Sequence, residues 1–239
     1  MKHLIKNILK FFKIILIKEK NYFNPEQNLY KSIKFHNVRS IIDVGAHEGN
    51  FIEKILQRFL FIEAISFEPA KEAFKNLIIR SEKYKNWKIL NYALAARDQN
   101  MEMNISNYTE ASSFLSIEKT LLKFRPELKV VSKELVKCKK IDNFISEFDS
   151  LQKPILLKVD TQGYEMEVLK GGNQTLDIID FVLLEVSTGA TYRGQPSLKE
   201  VIEYLENKRF KVWSLDRVFG NRSSGETYQV NILFSRKLN

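Results

Sequence analysis

The chain is predicted to fold as an α/β domain, a mostly parallel sheet with helices on both faces. Three observations predict it. Short apolar runs suited to buried strands alternate with amphipathic segments of helical length. Candidate strands end in carboxylates, namely Asp43, Glu68 and Asp160, with Glu185 close to the end of a fourth. The 239 residues, 44% apolar and 28% charged, suit one domain with a large core.

The basic charge is concentrated at the start. Residues 1 to 40 hold nine Lys or Arg against two Glu, so most of the net charge of +9 sits there and the body is nearly neutral. Such a body offers no basic nucleic-acid face. From Leu4 to Ile17 the run places Lys6, Lys10 and Lys13 on one helical face and Leu4, Ile5, Ile8, Leu9, Phe12 and Ile15 on the other. A helix of this kind can lie in a membrane interface, or cover a core or a partner subunit. Lysines interrupt the apolar run and no small-residue cleavage site follows, so an export signal is not expected. Asn21 to Asn28, with Pro25, reads as a loop, and Asn28 to Asn37 as a short helix. The expected division is a basic amphipathic helix and linker over 1–39 and the α/β domain over 40–239. The single Cys138 excludes an internal disulfide and fits a reducing compartment. The expectation is therefore a cytoplasmic protein, with peripheral membrane or subunit contact through residues 1–20. One Cys and three scattered His argue against a metal site.

The first strand runs into Asp43-Val44-Gly45-Ala46-His47-Glu48-Gly49, a tight turn opening a helix over Asn50 to Phe61. Ala64 to Glu68 is the second strand; Pro69 suits the first turn of a helix over Ala70 to Lys83. Glu68 follows the first acid at nearly the spacing of a ribose-binding carboxylate in nucleotide folds, and it could equally cap the helix after it. Trp87 to Leu94 reads as a third strand. Met101 to Ile105 and Val130 to Val136 read as shorter ones, flanking a polar excursion at Tyr108 to Leu115 that suits either substrate-binding loops or plain surface. Asp142 to Phe148 reads as a helix. Pro154 to Val159 is a strand interrupted by Lys158 and followed by Asp160-Thr161-Gln162-Gly163-Tyr164-Glu165, then by a short helix stopped at Gly171-Gly172. Ile178 to Val186 is a strand, Ser197 to Lys208 a helix with a Ser197/Glu200 capping box, and Phe210 to Leu215 and Tyr228 to Phe234 an antiparallel final pair.

Taken in order, several blocks resemble the FkbM-type S-adenosylmethionine-dependent methyltransferases. These are Ile42 to Gly49, Phe67-Glu68-Pro69, Asn91-Tyr92-Ala93-Leu94, Lys158 to Glu165, Leu169-Lys170-Gly171-Gly172, Leu184-Glu185-Val186 and Tyr192-Arg193-Gly194-Gln195-Pro196. The motif set extends the resemblance from Ile41 to Arg236. It implies a Rossmann-like methyltransferase fold, with a seven-stranded mostly parallel sheet and an antiparallel last strand. It also implies S-adenosyl-L-methionine as cofactor, with Asp43, Gly45, Ala46 and Gly49 at its methionine end and Glu68, followed by Pro69, at the ribose. Ala93 and Leu94 would flank the adenine. His47-Glu48 departs from the commoner Asn-Ile or Asn-Val, which leaves open whether His47 faces solvent or the cofactor.

Methyl transfer is an in-line displacement, so placement of the acceptor matters most, and a hydroxyl acceptor gains from a base. Asp160 is the first candidate for that base and Glu185 the second; Gln162 and Tyr192 are candidates for acceptor contacts, and Glu165 for a helix cap. The resemblance implies a hydroxyl acceptor on a sugar, glycan or secondary metabolite. A catalytically silent scaffold and another nucleotide-binding enzyme, such as a dehydrogenase, are the alternatives.

Overall fold

The computed structural model describes residues 25–189, 191–221 and 223–237, and the amphipathic run near the N-terminus lies outside them. In chain order the main elements are α1 (Pro25–Phe35), β1 (Ser40–Val44), α2 (Asn50–Arg58), β2 (Glu63–Phe67), α3 (Lys71–Ser81), β3 (Trp87–Leu90), β4 (Ala93–Leu94) and β5 (Gln99–Ser106). They continue as α4 (Lys119–Phe124), β6 (Val130–Lys139), α5 (Ile145–Phe148), β7 (Ile155–Val159), α6 (Glu165–Lys170) and α7 (Asn173–Ile178). The chain closes with β8 (Phe181–Ser187), α8 (Leu198–Asn207), β9 (Phe210–Gly220) and β10 (Thr227–Arg236).

Seven strands form one sheet in the order β3-β2-β1-β7-β8-β10-β9. Pairing is parallel from β3 to β8, and β10 runs antiparallel to both its neighbours. This is a Rossmann-like α/β sheet. Its strands read as continuous apolar runs because both faces are covered. Ile42, Val44 and Leu157 face a core completed by Leu169, Leu176, Val201 and Leu205. Ile41, Ala64 and Leu156 face the opposite core, with Ile33, Ile52, Ile55 and Leu77. Each such side chain contributes about 1.5–3 kcal/mol when buried.

Local chemistry sets the element ends. Gly49 caps α2 at φ 84, and a Cβ there would stand 2.5 Å from the Trp87 ring, so the position takes only glycine. Ser197 and Glu200 form the expected capping box on α8.

Four readings need correction. The segment taken as a loop before Asn28 is already helical, since α1 starts at Pro25, where the missing N–H costs nothing, and buries Ile33. Trp87 to Leu94 is two strands in different sheets. The Asn91 amide donates to the carbonyls of Glu68 (2.8 Å) and Pro69 (3.2 Å) and turns the chain between them. The helix expected over Asp142 to Phe148 is a 3-10 turn, Ile141–Phe144, followed by α5. The Asp142 carboxylate caps α7 instead, accepting from the N–H groups of Gln174 and Thr175. α7 itself lies where the glycine pair suggested only a stop, and β8 begins later than expected, at Phe181. The excursion builds a second sheet, β4-β6-β5, whose connecting segment folds back toward the strand ends of the first.

Candidate active site

The C-terminal edge of the parallel sheet lays out the site in spatial order. From β3 toward β10 it presents Ala93 and Leu94, Glu68, the Gly45 turn, Asp160, Glu185 and Gln229. Two hollows open along it. The first, of about 600 Å³, is lined by Gly45, Glu68, Leu94, Phe114, Asp160 and Gln162 among others. The second, of about 960 Å³, shares Gly45, His47, Glu110, Asp160 and Gln162 with the first and adds Phe51, Tyr108, Arg125, Lys158, Glu185 and Gln229. Ligands of open α/β sheets sit at such strand ends.

Beneath the turn lies a buried polar network. Asp43 is fully buried, and its cross-strand neighbours in register are Ser66 and Lys158. Lys158 Nζ pairs with Asp43 Oδ1 at 2.9 Å, donates to the Gly45 carbonyl at 3.2 Å and lies 3.6 Å from Asp160 Oδ2. Ser66 Oγ donates to Asp43 Oδ2 at 3.3 Å and accepts from the Trp87 indole at 2.9 Å. Burial alone would strip the charge from Lys158; Asp43 and Asp160 outweigh it and hold the ammonium above its ordinary value. Gly45 sits at φ 76, and a Cβ there would lie 1.9 Å from the Asp160 carbonyl oxygen, so the turn and the end of β7 are pressed together. His47 and Gln162, neither a glycine, also adopt positive φ (50° and 55°), marking both loops as strained at the site.

Glu68 is buried against the turn. Its Oε2 accepts from the His47 N–H at 2.7 Å and its Oε1 from the Ala70 N–H at 2.8 Å. Burial pushes its carboxyl up to about 7, although those two N–H groups pull the other way. A carboxylate has about four lone-pair sites, so two remain for ligand hydroxyls. The His47 ring is within 2.7 Å of Thr109 Oγ1 on the folded-back segment, so it lies at the rim of the hollow.

On the other side, Gln162 Nε2 donates to Asp160 Oδ1 at 2.8 Å and stands 3.5 Å from Glu185 Oε1, which also accepts from Gln229 Nε2 at 3.0 Å. Burial, with repulsion from Asp160 and Glu165, pushes Glu185 up to about 8. Glu165 caps the loop before its helix: its Oε1 accepts from the N–H groups of Thr161 (2.8 Å) and Gly163 (3.1 Å), and burial raises it to about 7.

Of the residues singled out from sequence, Gly45, His47, Glu68, Pro69, Ala93, Leu94, Asp160 and Gln162 line the first hollow. Ala46 lines the second, as does Glu185. Three stand behind the walls. Asp43 supports the turn through Lys158; Gly49 packs against Trp87; Tyr192 is buried, its hydroxyl 3.0 Å from Gln162 Oε1 and 3.2 Å from the Ala111 carbonyl. Tyr192 therefore orients Gln162 and holds down the folded-back segment. Sequence reasoning missed Lys158, taken as an interruption in a strand, and Arg125; Thr109, Glu110 and Phe114 lie in the excursion that suited either substrate-binding loops or plain surface, and they form part of the wall. For Lys158 the signal was available: a lysine in a strand buried on both faces needs a counter-ion. Among the described residues no group of three or more His, Cys, Asp or Glu could hold a metal.

The sheet order, the turn after β1 and the acid after β2 define a Rossmann-like methyltransferase. The methyltransferase FkbM domain family matches residues 43–212, and the chain belongs to that family. That match corrects the resemblance drawn from the motifs, which reaches to Arg236; most of β9 and all of β10 lie outside it. The architecture rests on the strands themselves, which form a Rossmann-like sheet and no β-solenoid among the described residues. A 2-O-methyltransferase, NoeI, of Sinorhizobium fredii is 23% identical over 69% of this chain and 70% of its own. Methyltransferase 1 of Beauveria bassiana is 25% identical over 77% and 76%. A solved structure from Streptococcus pneumoniae, ascribed tRNA methyltransferase activity, superposes with TM-score 0.51 at 11% identity, covering 90% of this chain and 72% of that one, a likeness of fold.

The protein is a methyltransferase that uses S-adenosylmethionine, and the dehydrogenase alternative falls. The residues present fit that cofactor. Ala93, Leu94 and Phe114 give an apolar end for a purine, and Glu68 retains lone pairs for two ribose hydroxyls. Asp160 places negative charge toward a sulfonium.

Proposed function

We propose that the protein is an O-methyltransferase acting on a hydroxyl of a sugar, glycan or secondary metabolite. The observation that carries this reading is the position of Asp160, on the wall common to both hollows. In this reading the first hollow holds the donor, with Glu68 on the ribose, the Gly45 turn with Ala46 and His47 around the methionine portion, and Ala93 and Leu94 against the adenine. S-adenosylmethionine supplies an electrophilic methyl group carried on sulfur. The second hollow holds the acceptor, where the carboxylate of Asp160 accepts the hydrogen bond of the incoming hydroxyl and takes its proton. Gln162, oriented by Tyr192, fixes Asp160 by its 2.8 Å hydrogen bond. Glu185, raised to about 8, carries a proton near neutral pH and accepts one in turn at higher pH. The aromatic rings of Phe51 and Tyr108 beside the amides of Asn50 and Gln229 suit a ring with apolar faces and polar edges. The name of the Sinorhizobium relative, a 2-O-methyltransferase, points the same way.

The test is incubation of the full chain with S-adenosylmethionine tritiated on its methyl group and with glycan and lipid extracts of the native cells. Alkali-stable label on carbohydrate or metabolite is the expected result, since methyl ethers survive mild base and methyl esters do not. Label confined to alkali-labile products, protein or nucleic acid would overturn the reading.

A further inference from the structure

The lining of the acceptor hollow carries charge of both signs. The part shared with the donor hollow is acidic, with Glu110, Asp160 and, beside them, Glu185. Arg125, at the C-terminus of α4, lines the acceptor hollow but not the donor hollow. The hollow's other cation, Lys158, is consumed by Asp43 and the Gly45 carbonyl. Arg125 is held differently. Its Nε donates to Glu127, which lies outside the hollow, and its guanidinium plane lies over the Tyr108 ring at 5.1 Å. The planar fork is thus fixed at one edge and on one face, while its two terminal amino groups have no hydrogen-bond partner among the described residues. A guanidinium held this way is preorganised for a bidentate anion.

From this arrangement we infer that the acceptor carries an anionic oxo group, a carboxylate or phosphate, which Arg125 binds while the hydroxyl to be methylated points at Asp160. The inference rests on the acceptor reading above. Glu110 and Asp160 repel the anion and Arg125 attracts it, so one substituent orients the molecule, and neutral acceptors lack that handle. Glu127 does not cancel the attraction. It is exposed to solvent, so its charge is screened, and it occupies only the rear edge of the fork.

The experiment uses the full-length protein loaded with S-adenosylhomocysteine and three probes: methyl β-glucoside, methyl β-glucuronide and glucose 6-phosphate. Dissociation constants are read by ligand-observed NMR titration. A charge-assisted pair at this site should favour the anionic sugars by roughly ten- to a hundredfold. That ratio should collapse toward one in Arg125→Met and be partly kept in Arg125→Lys, with the thermal midpoint of each variant as the fold control. Equal binding of glucoside and glucuronide, or a preference that survives Arg125→Met, overturns the inference and leaves the sugar reading standing. Preference for one anion over the other separates carboxylate from phosphate, either supporting the inference. Absence of binding by all three removes the sugar reading and the inference with it.

Discussion

Glu68 offers the sharpest test of the donor site, because its protonation and its ligand contacts oppose each other. The ribose hydroxyls need the ionised carboxylate as acceptor, and burial holds the free protein's carboxyl at about 7. Binding therefore draws the group down and releases a proton. At about pH 8 most molecules are ionised and at about pH 6 roughly one in ten is, so the apparent affinity for S-adenosylmethionine should weaken about tenfold between them. Glu68→Gln removes the titration. It also turns an amide N–H toward the fixed N–H of either His47 or Ala70, leaving a buried donor unmatched at a cost of about 1–3 kcal/mol. At about pH 8 the variant should bind roughly ten- to a hundredfold more weakly, and the gap should narrow toward about pH 6. Isothermal titration calorimetry across this range, in buffers of different ionisation enthalpy, gives affinity and protons released. The cofactor's own amine titrates nearby, but it is common to both proteins and cancels in the difference. The same shift has a consequence without ligand. The folded state holds its proton above the ordinary 4.5, so between about pH 4.5 and about pH 7 the unfolded chain binds fewer protons and stability falls as pH rises. The share from Glu68 is on the order of 3 kcal/mol, absent in the variant. Identical pH slopes of affinity for wild type and Glu68→Gln would refute the assignment of Glu68 to the ribose.

Other perturbations probe the remaining parts. Asp160→Asn should lower turnover by about 10²–10⁴ while the calorimetric affinity for S-adenosylhomocysteine, which lacks the sulfonium charge, changes little; undiminished turnover would remove Asp160 as the base. Gly45→Ala, which forces a side chain to φ 76 against the Asp160 carbonyl, should cost about 3 kcal/mol and lower the thermal midpoint by roughly 6–12 °C, read by calorimetry. For the basic N-terminal run, the full chain should co-sediment with anionic vesicles more than a chain starting at Pro25, and equal sedimentation would defeat the membrane version. The cut belongs at Pro25 because α1 buries Ile33 in the core and must be kept.

Much of the fold was legible because buried parallel strands and amphipathic helices write distinct periods into the chain, and the carboxylates at the ends of β2 and β7 marked the ligand edge. Boundaries failed where a side chain from elsewhere intervened. Asn91 bends the third strand by bonding to the residues after β2, and Asp142 abandons its own helix to cap α7. Neither partner is near in sequence, so no local pattern carries them. Within the site, residues following a strand into a tight turn were found, since the turn demands glycine and the edge demands polarity. Tyr192 was placed too close to the chemistry because its residue type suits both contact and support, and only burial separates the two. The excursion stayed open between substrate-binding loops and plain surface for a topological reason: its position depends on how a small separate sheet leans back over the first. That lean is secured by tertiary bonds such as Ser113 Oγ to the Gln162 carbonyl at 2.8 Å and the bridge between Ile117 and Tyr192.

The pair formed by Asp43 and Lys158 bears on how such a site can change over time. The two are neighbours across adjacent strands, both sealed from water, and each is the other's main compensation. Loss of either alone strands a charge in the interior at about 3–5 kcal/mol, a large share of what a domain has to spare. A lineage carrying this pair therefore passes through a poorly folded form unless both positions change together. The turn that lies over the pair inherits that constraint, whereas Arg125 and the excursion around it are free to drift, so acceptor preference can diversify on an immobile donor platform.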